Sequence, residues 1–208
     1  YLSKDTLVHV FKNHEIAVHG TYHKALVGLS DEEILEEINV DIENLSILSD
    51  RKISSMAYAF GSTNDHVAEV IGTTPLTNAR TVKPSYNFEL PKDYYLWNPT
   101  CHDSEALDYL EAYISLDSPS LSLFYVWGHS WELRDTLRNQ NILKFCKEIG
   151  DRDDIWYIGA GDFADYHASL KVLEIGPQQI VNPEGNGIVY YREKGQLKSL
   201  NPGQRLIY

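Results

Sequence analysis

The sequence predicts an α/β chain of parallel strands joined by helices, closed by a short β-rich tail. Three observations carry this. Short apolar stretches that end in turns alternate with segments of helical period from Glu15 to about Ile175. This order implies parallel strands with right-handed crossovers, wound into a barrel or left as an open sheet. Ser30-Asp31-Glu32-Glu33 reads as a capping box, after which Ile34, Leu35, Ile38, Ile42, Leu45 and Leu48 recur at helical spacing. From Gln179 the pattern changes to apolar pairs beside Asn186-Gly187 and Pro202-Gly203, as short antiparallel strands require.

Taken in order, Ser3 caps a first helix carrying Leu7, Val8, Val10 and Phe11, and Ile16 to Val18 forms a strand. The capped helix runs to about Ser49, with Glu32, Glu33, Glu36, Glu37 and Glu43 as its solvated face and N-terminal dipole partners. Ser55 to Gly61 is a buried strand ending in a turn, Val67 to Ile71 a short helix, and Ala79 to Val82 the next strand. Pro84 to Pro99 lacks period and is a packed loop. A helix starts at Asp103 or Ser104. Leu121 to Trp127 is an almost continuous apolar strand, expected to be buried on both faces. A helix to Ile149, a strand at Ile155 to Ile158 and a helix from Asp162 to Ile175 complete the main domain, set at residues 1–176, with 177–208 as an accessory piece.

Composition excludes some functions. The 208 residues are 43% hydrophobic and carry a net charge of −12, with no cluster of Lys and Arg, so a nucleic-acid partner is not expected. No stretch has the apolar length of a membrane span. Cys101 and Cys146 are too few for a disulfide framework and do not identify a redox compartment.

The polar residues that follow the strands point to chemistry. His19 and His23, four residues apart after an apolar strand, have the spacing of two imidazole ligands for a zinc-like ion. His19, the Phe60-Gly61 turn, Arg80 and His129 all fall at or near strand ends, which in parallel α/β folds form one rim. Gly128-His129-Ser130-Trp131 also fits a packed turn, and Tyr58, Phe60, Trp127 and Trp131 fit either a sugar-facing wall or the core.

Several of these phrases, in this order, resemble the polysaccharide deacetylases of the NodB-homology type, carbohydrate esterase family 4. They are His14-Glu15-Ile16-Ala17-Val18-His19 with His23, Met56-Ala57-Tyr58-Ala59-Phe60-Gly61, Ala79-Arg80-Thr81-Val82, Pro99-Thr100-Cys101-His102 and Phe124-Tyr125-Val126-Trp127-Gly128-His129-Ser130-Trp131-Glu132. The resemblance implies a distorted (β/α) barrel of fewer than eight strands. It also implies metal-dependent hydrolysis of the N-acetyl group of a sugar or glycan. By the same resemblance His19 and His23 are the metal-binding histidines and His129 the general acid, an imidazolium that needs a supporting carboxylate or polar shell. Arg80 is the expected guanidinium of the catalytic site, and Tyr58, Phe60, Trp127 and His102 are the expected substrate contacts. Zinc is the default ion; nickel, cobalt and manganese accept similar donors.

The chain departs from the family pattern in four places. The first family motif, Thr-Phe-Asp-Asp-Gly, which holds the catalytic base and a third ligand, is not in these residues; the expectation is a barrel lacking its first strands. Ala57 stands where many relatives have an arginine and Ala59 where they have a proline, and Gly159-Ala160-Gly161-Asp162 replaces an Asn-containing phrase. A non-catalytic carbohydrate-binding relative lacking the base therefore stands as the alternative.

Overall fold

The computed structural model describes residues 3–118 and 120–208. The chain forms two compact units, residues 1–12 with 16–157 and residues 13–15 with 158–208. This division falls upstream of residue 177, and the helix before that point groups with the tail.

In the first unit, helix α1 (Lys4–Val10) is capped by the Ser3 side chain, and α2 (Asp31–Ser49) begins with the expected capping box at Ser30 and Glu33. Helix α2 buries Ile34 and Ile38 against Val18, Met56, Tyr58, Val67, Ile71 and Ala79. Strand β1 (Ser55–Ala57) pairs in parallel with β2 (Asn78–Arg80), and α3 (Asp65–Ile71), capped by Asn64, lies between them in sequence. The strand expected at Ile16 to Val18 is reduced to one parallel bridge from Val18 to Met56. Arg80 bridges Trp97, also in parallel, which orders the irregular loop before β3 (Cys101–His102). Strand β3 pairs in parallel with β4 (Val126–Trp127). Helices α4 (Ala106–Ile114) and α5 (Thr136–Ile149) share a second core of Cys101, Ala106, Leu110 and Phe145 with Phe124, Val126 and Ile142.

The parallel contacts follow chain order from Val18 to Trp127, but the described residues form small sheets and no closed barrel. The long apolar strand expected over Leu121 to Trp127 is regular only in its last two residues. It is not buried on both faces: Leu121 is exposed, while Phe124 is used against Phe88, Tyr113 and Phe145 instead of a second sheet face. Ile155 to Ile158 is no strand. Trp156 and Tyr157 are exposed there, and the Tyr157 hydroxyl accepts from Arg152 N and donates to the Ile149 carbonyl, folding the segment back as a turn. Among the described residues no helix is long and apolar enough to cross a membrane.

In the second unit, α6 (Ala160–Lys171) starts and ends earlier than its sequence pattern suggests, and Glu174–Ile175 leaves the helix to become β5. Strands β5, β6 (Gln179–Val181) and β9 (Arg205–Ile207) make an antiparallel sheet, and β7 (Val189–Glu193) pairs with β8 (Gln196–Leu200) as a hairpin. The hairpin turn is Lys194-Gly195, both at positive φ (50° and 80°), the geometry of a tight I′ connection. Buried Asn182 ties this unit together: its Nδ2 donates to the carbonyls of Gly187 and Leu200, and its Oδ1 accepts from Asn186.

Candidate active site

Val18 is the last buried residue before the chain turns out of the core, so its bridge to Met56 fixes where His19 emerges. His19 Nδ1 lies 2.8 Å from the Ala57 carbonyl. A carbonyl only accepts, so Nδ1 carries the proton and Nε2 keeps its lone pair. The His23 Nε2 lies 3.1 Å from that atom. His23 adopts a left-handed backbone (φ 56°), an uncommon conformation that turns its ring back toward His19. Phe60, also left-handed at φ 58°, sets its ring edge to the His23 ring at 4.5 Å between centroids.

Part of the His19 ring faces solvent, yet its partial burial pushes the imidazole below its ordinary proton affinity. The Ala57 hydrogen bond opposes this, while His23, Arg80 and His129 add repulsion in the same downward direction. A neutral imidazole is the ligand form. In a tetrahedral zinc site with Zn–N of about 2.0–2.1 Å, two nitrogens stand about 3.3 Å apart. The observed His19–His23 approach is close to that, so the pair fits part of a coordination sphere.

A second cluster forms after β4. His129 Nδ1 lies 2.8 Å from Glu132 Oε2, and the His129 backbone N–H donates to the same oxygen. Arg138, from α5, donates to Glu132 Oε1 at 3.0 Å and to Asp103 Oδ1 from Nε at 2.9 Å; its Nη2 also approaches both ring nitrogens of His102. Burial pushes the Glu132 carboxyl up, but the bonds from His129 and Arg138 outweigh it and hold the group at about 2. Gly128 permits the packing: a Cβ there would collide with Asp103 Oδ2. His102, His129 and Glu132 bring ligand-type atoms within 4.8 Å of one another. Arg138 already pairs with Glu132 and with the neighbouring Asp103, so a divalent ion entering the cluster would meet a resident cation. The cluster is better suited to hold His129 in one orientation than to bind an ion.

The expected residues divide accordingly. His19 and His23 converge. Arg80 and His129 both act electrostatically on His19, and the Arg80 guanidinium lies 4.6 Å from the Trp127 ring centre while donating to the Thr81 carbonyl. Phe60 is exposed beside His23, Trp127 is half-buried between Arg80 and His102, and exposed Trp131 stacks on His129. Tyr58 takes the core place of the two readings left open for it, rather than the substrate contact: it is 1% exposed and its hydroxyl donates to the Tyr95 carbonyl. His102 joins the Arg138 network. Glu37 is also a correction, since it is buried rather than part of a solvated face. The sequence singles out none of Asp41, Asp103, Glu132 and Arg138 as a site residue; Asp103 stands there only as a possible helix start. The signal for Glu132 was its position three residues after His129 at the start of a turn.

Comparison with known proteins bears on one part of the chain. Residues 4–79 match a family model described as polysaccharide deacetylase. Two solved structures are similar to this chain, a polysaccharide deacetylase from Bacillus cereus and a protein from Bacillus anthracis provisionally assigned the same activity. Each is 22% identical with a TM-score of 0.37, over 40% of this chain and 26% of its own, a likeness too slight to argue the fold from. The match thus spans about a quarter of each neighbour's length. No curated protein matches.

Proposed function

We propose, from the match of residues 4–79 to the polysaccharide deacetylase family model, that the protein is a metal-dependent hydrolase removing N-acetyl groups from a sugar or glycan. The observation that carries this reading is the approach of His19 Nε2 to His23 Nε2 at 3.1 Å, with His19 Nδ1 tied to Ala57. The two imidazoles would hold a divalent ion, zinc by the preference of the donor type, although other first-row ions accept the same set. When bound, such an ion supplies Lewis-acid polarisation of the amide carbonyl.

The chain's own residues supply the rest. His129 is assigned the proton donor to the leaving amine. With Nδ1 on Glu132, its Nε2 is the atom left to carry that proton. Arg80 contributes a fixed positive charge beside Trp127, suited to an oxygen that gains negative charge as the amide is attacked. Phe60, Trp127 and Trp131 offer apolar faces to a pyranose ring.

The test is cobalt or zinc binding together with acetate release from N-acetylated oligosaccharides. H19A is expected to lose the ion. H129A is expected to keep the ion and lose turnover. A wild-type protein that binds no ion, or an H19A variant that binds it as tightly, rejects the reading. Glycan binding without turnover would favour the non-catalytic relative.

A further inference from the structure

We propose that Glu37 and Asp41 are positioning residues that set the geometry of the His19–His23 pair, an inference that rests on the metal-site reading above. Both lie on α2, four residues apart and therefore on one helix face. Asp41 Oδ2 accepts the backbone N–H groups of His19 at 2.9 Å and Gly20 at 3.0 Å. Glu37 Oε1 accepts those of Tyr22 at 2.8 Å and Lys24 at 3.0 Å. The Glu37 carbonyl accepts the N–H and hydroxyl of Thr21. Five backbone N–H groups between His19 and Lys24 thus end on one helix.

The placement of Glu37 is costly, which is why it argues for a purpose. It is 1% exposed and sits between buried Ile34 and Ile38, where the helical pattern calls for an apolar side chain. Burying a carboxylate is unfavourable by several kcal/mol unless hydrogen bonds compensate. Here the compensation comes from the loop that carries both histidines, so the loop and the carboxylate stabilise each other. Gly20 completes the fit: at φ 92° it has the left-handed backbone that favours glycine, and a Cβ there would lie 2.8 Å from Glu37 Oε1.

The two carboxylates divide the work. Asp41 fixes the amide of His19 itself, whose ring is also held by Ala57. Glu37 fixes the amides on either side of His23, the ligand whose left-handed backbone most needs external support. Partners that orient ligands in this indirect way typically account for about 10–100-fold in metal affinity. Removing Glu37 should therefore weaken binding more than removing Asp41.

The experiment titrates cobalt into wild type, E37A, E37Q, D41A and D41N, reading the d–d absorption, with near-ultraviolet circular dichroism and denaturation curves to fix the folded fraction. The expected result is a loss of about 10–100-fold per folded molecule in the alanine variants, with an altered cobalt spectrum. Gln and Asn retain a carbonyl oxygen able to accept the same two N–H groups, so they should restore most of the affinity. A merely structural role would lower the denaturation midpoint and leave affinity and spectrum of the folded molecules unchanged; that result overturns the inference and leaves the metal site standing. Should E37A fail to fold, D41A decides, since Asp41 is only half-buried and its removal leaves the core intact. Absence of cobalt binding by wild type overturns both the inference and the metal site.

Discussion

Replacing Arg138 by Ala withdraws the one guanidinium that stands between the carboxylates of Asp103 and Glu132. The three side chains are 19%, 8% and 15% exposed, so the two acids left behind would be poorly hydrated and close to each other. Breaking a buried pair by removing one partner costs about 3–5 kcal/mol, and the partial access of water here reduces that to about 2 kcal/mol at pH 7. The same network fixes the pH dependence. Glu132 is held at about 2 against an ordinary 4.5: its burial acts upward, and the bonds from His129 and then Arg138 act downward and prevail. A carboxyl depressed in the folded state adds stability above about pH 4.5, and that stability fades as the pH falls toward 2. The Arg138→Ala variant loses Arg138's part of that contribution, so its deficit should be full at pH 7 and shrink below pH 4.5. Urea denaturation at pH 7, 5 and 3, followed by the fluorescence of Trp127 and Trp131, measures it. Equal stability of the two proteins at pH 7, or a deficit that stays undiminished at pH 3, would refute the reasoning.

Other perturbations separate the parts of the molecule. Ser30→Ala removes one half of the α2 capping box and should lower stability by about 1 kcal/mol, with faster amide exchange confined to the first turn of α2. Gly128→Ala would drive a methyl into Asp103 and should cost about 1–3 kcal/mol while shifting the His129 ring resonances, because the same carboxylate anchors Arg138. Tyr58→Phe should cost about 1 kcal/mol of stability through the lost Tyr95 hydrogen bond and leave glycan affinity unchanged, which calorimetry checks. Phe60→Ala, at an exposed ring beside His23, should instead weaken glycan binding by roughly 2–10-fold with little effect on stability.

Features set by local sequence were legible. The Ser3 cap, the Ser30 capping box and the extent of α2 depend on residues within a few positions of one another, and each is where the periodicity places it. The strands were harder because a strand is defined by its neighbour. Leu121 to Trp127 has the composition of a fully buried strand, but its hydrogen bonds include ones to Phe88, Thr100 and the β3 segment, and Phe124 spends its apolar surface on helices α4 and α5. The β7–β8 hairpin was half hidden because Lys194 is not a usual residue for positive φ and Gln196 to Leu200 alternates only weakly. The tail begins to pack at residue 158 because α6 contacts it through Tyr166 on Tyr190 and the Ser169 carbonyl on Asn186, contacts that no local composition shift announces.

At the site, the groups of evident chemistry were legible and the groups that hold them were not, for the same physical reason. A histidine is rare enough to be noticed wherever it falls. A glutamate on a helix is common, and Glu37 is distinguished from Glu33 or Glu36 only by which way the helix faces. Its neighbours in sequence do contain the clue: Ile34 and Ile38 define the buried side, and Glu37 lies on it. An acid on the apolar face of an amphipathic helix must find donors, and the nearest supply of unpaired N–H groups in a parallel α/β fold is the loop that leaves the preceding strand end. That loop is also where His19 and His23 are placed. The acid that violates the helical pattern and the histidine pair that follows the strand are therefore two halves of one arrangement, joined through the backbone amides of His19, Gly20, Tyr22 and Lys24.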